Sequence, residues 1–568
     1  MKSRLTLVAA AILLACTPAV QAKHAESKVR HVLMISVDGM HEQDLARCVR
    51  DRTCPHIAEI AEHGVTYSEA RTPGLSDSVP GLAALVTGGG PVSTGLFYDD
   101  VYDRTLFPGW DTTCSTKPGI EVFLQELVGI DNLNGGPLLH LDGGGDFNPQ
   151  QIPRRKEGTS CLPVYPHDFI KTNTIFEVVK EHLPGSHTAW SDKHAWGTDW
   201  VNGPSGKGVD DLARTEINSI DPASVSAGNP SGSDYTQSFS GNTATDPAYL
   251  HTEKFDNIHL QNVLNQINRK DSTGTKAAPI PNVFGTNFQT LSVAQKALNK
   301  EGGGYADDDF TPNKHVKAAI TYVDGAIGRM VSALKVHHLE ESTLLVITAK
   351  HGQSPADYSR LKKIGNRVSA ILGTLVGGPL DSSGNPTGVD PVTGNNAFFG
   401  QVTTDDVAFV WLADQTQRDL AMVLLRANAS CPEVDPVTKL RVSGNGICTD
   451  NGGAVIDLSK VPEKFGNPAD GRTPDIMVQP NPGVIYTGSG AKDMEHGGFA
   501  PDDGHVALLV SYPGLEHKVV HRRVGTKQVA PTILKALGLE PTLLDAVRKE
   551  GTEVLPGLFD DDDDRQGD

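Results

Sequence analysis

The apolar positions of this chain gather into short solid runs that alternate with stretches of helical spacing. His31 to Val37 is the first such run, with Val32, Leu33, Met34, Ile35 and Val37 apolar, and it stops abruptly on Asp38-Gly39. A run of this kind predicts a strand buried on both faces, as in a parallel sheet. Cys54 to Gly64 and Asn173 to Leu183 carry apolar residues at helical spacing; a glycine ends the first, and Pro184-Gly185 halts the second. His187 to Ser191 predicts a strand, Val316 to Leu334 an amphipathic helix, and Ser342 to Ala349 a second fully buried strand. Further along, Val407 to Leu412 reads as a strand and Arg418 to Arg426 as a helix. Asp475 to Val478 and His505 to Ser511 read as late core strands.

Strands alternating with helices predict an α/β fold, a central mostly parallel sheet with helices on both faces. Two stretches break the pattern with Gly, Ser, Asn, Asp and Pro, and long loops of that kind are usually functional. The expected organisation is core over 28–196, a loop-rich insertion or cap over 197–312, core over 313–360, a second insertion over 361–469, core over 470–558 and an acidic tail over 559–568. No internal repeat is visible.

Composition sharpens this reading. Lys2 and Arg4, the apolar run from Leu5 to Ala15, and Val20-Gln21-Ala22 have the order of an export signal over residues 1–22, too short to span a bilayer. The expected location is periplasmic or secreted, with a lipid anchor through Cys16 as the alternative. Six of the seven cysteines lie beyond that segment, an even number that suits disulfides in an oxidising compartment. Pairing by sequence neighbourhood gives Cys48–Cys54, Cys114–Cys161 and Cys431–Cys448. The formal charge of −19 argues against a nucleic-acid polymer as resident partner. A small phosphorylated substrate remains open, since a metal can reverse the local field.

Four stretches could carry chemistry. A strand ending in Asp38-Gly puts a carboxylate at the sheet edge where open α/β folds collect ligands; an ordinary turn is the competing reading. Ser78, two residues before Pro80 and an Ala/Leu run, suits a helix N-cap, and that place sets a hydroxyl beside free N–H groups that favour anions. Lys350-His351-Gly352 leaves the second buried strand. Glu495-His496-Gly-Gly and His505 flank a Gly- and acid-rich loop. Imidazole and carboxylate without cysteine suit zinc or another divalent metal.

Asp38-Gly after the first strand, Ser78-x-Pro heading a helix, strand-His351-Gly, His496-Gly-Gly and the closing Ala530-to-Gly538 run together resemble the alkaline phosphatase superfamily, in its type I phosphodiesterase and nucleotide pyrophosphatase branch. The resemblance implies an alkaline-phosphatase-like fold, one or two zinc ions, and a serine that is transiently esterified. Ser78 would be that nucleophile, with Asp38, His351 and His496 as metal ligands. Two departures stand out. The branch has Asp-His-Gly where this chain has Lys350-His351-Gly352, and its Asp-x-x-x-His pair has no counterpart in Gly285 to Ala294. One metal held by Asp38, His351 and His496, with Lys350 catalytic in place of part of the second ion's charge, is the resulting expectation. Asn287, His505 and Lys193 are candidate substrate-binding residues, although Asp192-Lys193-His194 also reads as a solvated loop. The expected activity is metal-dependent phosphoric-ester hydrolysis, preferring diesters or nucleotide-type substrates. A sulfatase- or phosphonate-hydrolase-like activity, or an inactive relative that binds a ligand, are the alternatives.

Overall fold

The computed structural model describes residues 29–125, 128–227, 232–236, 246–373, 399–488, 490 and 492–559; the expected export signal, Cys16 and residues 560–568 of the acidic tail lie outside them. An eight-stranded and a four-stranded sheet are built, in chain order, from β1 (His31–Val37), β2 (Gly64–Tyr67), β3 (Ala189–Ser191), β4 (Asp211–Ala213), β5 (Val283–Phe288), β6 (Thr343–Thr348), β7 (Phe399–Thr404), β8 (Ala408–Leu412), β9 (Ala454–Asp457), β10 (Ile476–Gln479), β11 (Leu508–Ser511) and β12 (Lys518–Val520). The large sheet runs β12-β2-β11-β6-β1-β5-β3-β4. β1 lies between β5 and β6, parallel to both, and β11 is the antiparallel strand between β6 and β2.

Alternation along β1 sends Val32 and Met34 into one apolar core and Leu33, Ile35 and Val37 into another. Helices cover both faces, as a buried parallel sheet requires. The principal ones are α1 (Glu42–Arg50), α2 (Pro55–Ala61), α3 (Ser78–Thr87), α4 (Ile175–His182), α5 (Ala248–Ile267), α6 (Thr290–Lys296), α7 (Lys314–Val336), α8 (Arg418–Ala427) and α9 (Val529–Ala536). Residues of α3, α4 and α9 join the first core; residues of α2, α5, α6 and α7 join the second.

Two sequence expectations change. The 197–312 stretch, expected as a loop-rich insertion, supplies β4, α5, β5 and α6 to the main body, and β5 sits beside β1 at the sheet centre. β5 reads Val-Phe-Gly-Thr-Asn-Phe and is buried throughout. Its Gly285 leaves no room for a side chain against the Met34 carbonyl and the Trp190 ring, and Asn287 turns a polar group to the site. Those packing needs erased the apolar signature. Second, β10 is not a strand of the large sheet: it lies between β8 and β9 in the small one. There Ile476 and Val478 pack with Val410, Leu412 and Met422, while Met477, Phe409 and Trp411 face the main core. A short apolar run does not say which sheet it will join.

All three disulfides pair as expected, Cys48–Cys54, Cys114–Cys161 and Cys431–Cys448. Among the described residues, no helix is long and apolar enough to cross a membrane.

Candidate active site

Three strand ends are tied together at one edge of the large sheet. The Asp38 N–H donates to the Phe288 carbonyl at the end of β5 (2.9 Å), and the Gly39 N–H to the His351 carbonyl beyond β6 (3.0 Å). Gly39 has φ +82°, and a Cβ there would collide with Gln295, so the turn that aims Asp38 needs glycine. Helix α3 presses on the same edge. A Cβ on Gly81 would stand 2.2 Å from the Lys350 carbonyl oxygen, so its absence lets the first turn of α3 approach the His351 loop.

Ser78 is not the cap of α3, as its spacing suggested. Asp77 is, accepting from the Val79 N–H at 3.1 Å. Ser78 therefore occupies the first turn with its hydroxyl free for other partners. Its Oγ lies 2.9 Å from Lys193 Nζ, 3.2 Å from His351 Nε2 and 3.4 Å from Asp38 Oδ2. Asp38 Oδ2 is the hub. Lys193 Nζ and Lys350 Nζ are each 3.3 Å from it, and Asn287 Nδ2 donates at 3.1 Å. Lys350 also reaches Asp192 Oδ1 at 3.4 Å, while Trp190 Nε1 holds the other Asp192 oxygen at 3.2 Å.

All of these groups are buried, and burial makes their charges expensive unless paired. Burial pushes Asp38 towards its neutral form, but Lys350 and Lys193 outweigh it and hold the carboxyl well below the usual carboxylate range. Burial likewise works against the Lys350 charge, yet Asp192 and Asp38 keep its pKa above the ordinary lysine value. Burial takes the His351 imidazole down to about 3, so it is neutral. Its Nδ1 lies 2.8 Å from the Gly352 carbonyl, which can only accept; the ring proton is thereby assigned to Nδ1, leaving the Nε2 lone pair towards Ser78. Burial and the adjacent His351 also depress His496, whose ring packs on His351 with centroids 4.0 Å apart. Burial raises Asp77 to about 6.

The structure thus brings together Asp38, Ser78, Lys193, Asn287, Lys350, His351 and His496. It leaves out His505, whose Nε2 is committed to the Ser68 carbonyl at 2.8 Å and whose Nδ1 faces Gln43. The ordinary strand-start role explains that histidine. Asp192 and Asp77 complete the constellation without having been assigned to it from sequence. Asp192 had only its place at a strand end as a signal, and Asp77 only its position next to Ser78.

The model of the type I phosphodiesterase / nucleotide pyrophosphatase family matches residues 32–501. The chain belongs to that family. Its members are hydrolases of phosphoric ester bonds. Murine ectonucleotide pyrophosphatase / phosphodiesterase 5 is similar in structure at 14% identity and a TM-score of 0.50, covering 90% of this chain and 96% of that one. An inactive form of the same murine protein, in complex with AMP, matches to the same extent. Wild-type alkaline phosphatase PafA matches at 12% identity and a TM-score of 0.54, over 91% of this chain and 96% of its own. At these identities the likeness shows a shared alkaline-phosphatase-like fold. No sequence among curated proteins matches this chain.

The phosphodiesterase family is generally a dinuclear metal-dependent one, and this donor set does not fit two ions. Lys193, Lys350, Asn287 and Ser78 crowd Asp38 Oδ2, and its Oδ1 has no partner among the described residues. Lys350 stands where a carboxylate ligand was expected. Among the described residues, no three His, Cys, Asp or Glu side chains converge as a metal site. Asp38, His351 and His496 are neighbours, with His351 Nε2 3.8 Å from Asp38 Oδ2 and the two rings packed together, but they do not form a three-ligand group among the described residues.

Proposed function

We propose that this family member is an exported hydrolase of phosphoric diesters that works through a covalent intermediate on Ser78. One observation carries the reading: the Ser78 hydroxyl, spared capping duty by Asp77, sits in the first turn of α3 between a lysine ammonium and a bare imidazole nitrogen. A helix N-terminus favours an anion there, and a neighbouring base is what makes a serine hydroxyl a nucleophile. The cations beside it would steady the phosphoryl oxygens as charge moves onto them.

The formal charges of Lys193 and Lys350 are balanced by Asp38 and Asp192. A centre so balanced suits the single negative charge of a diester better than the double charge of a monoester. Nucleotide-type diesters fit this preference, and the AMP bound by the murine relative, a monoester, supports the nucleotide part of the reading. A cavity of 1270 Å³ borders the loops leading to Ser78 and away from His496 without including either residue. Thr72, Gly74 and Phe499 line it on that side; Lys171, Arg523 and Lys549 line it elsewhere. It is the room we assign to the leaving group. The three disulfides support export.

Replacing Ser78 with alanine and following hydrolysis of bis(4-nitrophenyl) phosphate tests the proposal. Loss of turnover with an unchanged fold is expected. Equal turnover in variant and wild type would remove Ser78 from the mechanism.

A further inference from the structure

We infer that this centre transfers the phosphoryl group without a resident metal ion: the ammonium groups of Lys193 and Lys350 take the place of the ions, and His351, through Nε2, is the base for Ser78 rather than a metal ligand. The inference rests on the reading of Ser78 as nucleophile and adds how its charge and its proton are managed.

Three observations carry it. First, one of the two Asp38 oxygens that could bind a cation is already spent, while Oδ1 has no partner among the described residues. Asp38 Oδ2 faces Lys193 Nζ and Lys350 Nζ at 3.3 Å each, Asn287 Nδ2 at 3.1 Å and Ser78 Oγ at 3.4 Å. Four donors exceed the lone pairs of one carboxylate oxygen, and a divalent ion there would have to displace two like charges. Second, both lysines are buried (Lys350 1% exposed, Lys193 7%). Buried ion clusters add little to stability against an apolar alternative, so their retention calls for another role. Lys193 Nζ stands 2.9 Å from the very oxygen that must attack. Third, His351 is oriented as a base. The Gly352 carbonyl holds the proton on Nδ1, and Nε2 is 3.2 Å from Ser78 Oγ, within reach for proton transfer.

The step balances without a further reagent. Ser78 Oγ attacks phosphorus; the Oγ–P bond forms as the bond from phosphorus to the leaving oxygen breaks, and the hydroxyl proton passes to His351 Nε2. The imidazolium gives that proton to the departing oxygen. His351 Nε2 then takes a proton from a water as the water oxygen bonds to phosphorus and displaces Ser78 Oγ, and the imidazolium returns the proton to Ser78 Oγ. Lys193 and Lys350 stay protonated throughout and hold the phosphoryl oxygens by charge-assisted hydrogen bonds.

The test uses the full chain, dialysed against a chelator, then against zinc and washed. Metal content is measured by plasma mass spectrometry, and turnover of bis(4-nitrophenyl) phosphate is followed before and after chelation. The expected result is no stoichiometric zinc in wild type and turnover unaffected by chelation. One or two tightly held ions per chain, or turnover lost on chelation and restored by zinc, would overturn the inference. The variant Lys350→Asp supplies a readout independent of catalysis. It sets a carboxylate beside Asp38 and His351, so zinc uptake is expected in the variant and not in wild type; uptake by wild type counts against the inference. Absence of turnover in both chelated and zinc-loaded protein would fail the hydrolase reading instead, while the metal content would still decide this one.

Discussion

Two buried aspartates in this protein each face two cations, and they are built to opposite ends. Asp475, in the segment leading into β10, accepts from Arg104 and the Leu412 N–H on one oxygen, and from Gln415 (2.8 Å) and Arg418 (3.0 Å) on the other. Both oxygens are used, two of the four donors are fork-shaped guanidinium groups, and Arg104 continues to the Leu412 carbonyl at 2.8 Å. Planar donors in fixed directions suit a structural tie. Asp38 has all its partners on Oδ2, while its buried Oδ1 has none among the described residues. Its cations are lysines, point charges on flexible stems, and one of them also touches a serine hydroxyl. A saturated carboxylate holds chain segments together. A lopsided one beside a serine hydroxyl that shares its lysine sets charge where a reacting group can meet it.

The largest effect should come at the lopsided centre. Ser78→Ala is expected to lower kcat for a diester on the order of 10^4-fold or more, as removal of a nucleophile does, with the melting temperature close to wild type. Lys350→Met and Lys193→Met should each lower kcat/KM about 10^2- to 10^3-fold, the scale of losing one preorganised charge. Loss of less than tenfold in either variant would place that lysine outside the chemistry. Asp475→Asn attacks the saturated counterpart. It should destabilise the fold by about 3 kcal/mol, because two half-buried arginines lose the buried carboxylate between them, measured by urea unfolding, with kcat of the folded protein unchanged. If Asp475→Asn instead cost activity without stability, the contrast between the two aspartates would collapse.

A finer test uses pH. His259 supports the site from below, its Nδ1 facing the Asn287 carbonyl at 3.0 Å and its Nε2 facing Thr215 at 2.9 Å. Burial lowers its pKa to about 4. Folded protein therefore keeps this imidazole neutral where the unfolded chain, with an ordinary pKa near 6.5, has protonated it. Its contribution is whole above about pH 6.5 and is lost as pH falls towards 4. His259→Gln should accordingly cost most at pH 7, with the cost shrinking on the order of 3 kcal/mol by pH 4. A penalty independent of pH would contradict that reading. Smallest of all, His505→Ala should leave kcat/KM within about twofold, since its Nε2 is committed to the Ser68 carbonyl and its Nδ1 faces Gln43, away from Ser78; a larger drop would bring the Ser68-bound histidine back to the substrate.

Much of this centre could be read from the chain. Asp38, Ser78 and His351 announce themselves because each follows or opens a strongly apolar element, and the parallel sheet gathers such ends at one edge. Lys193 could not be separated from a solvated loop: a charged triplet after a strand looks the same whether it faces water or an aspartate. β5 was hidden because Gly285 and Asn287 replaced apolar side chains for reasons of packing and site chemistry. Asp77 and Ser78 are neighbours that both cap helices well, and only the fold shows which of them does so. The metal expectation rested on the resemblance to a family that is generally dinuclear and metal-dependent, and Lys350 is the letter that departs from it.

Mass spectrometry of the peptide bearing Ser78, after rapid acid quenching during turnover of a diester, tests the central claim most directly. A phosphoryl ester on Ser78 that appears in wild type, at chelated metal, and is absent from Ser78→Ala is the predicted result. Steady turnover with no covalent adduct on Ser78 at any quench time, or an adduct on another residue, would contradict it.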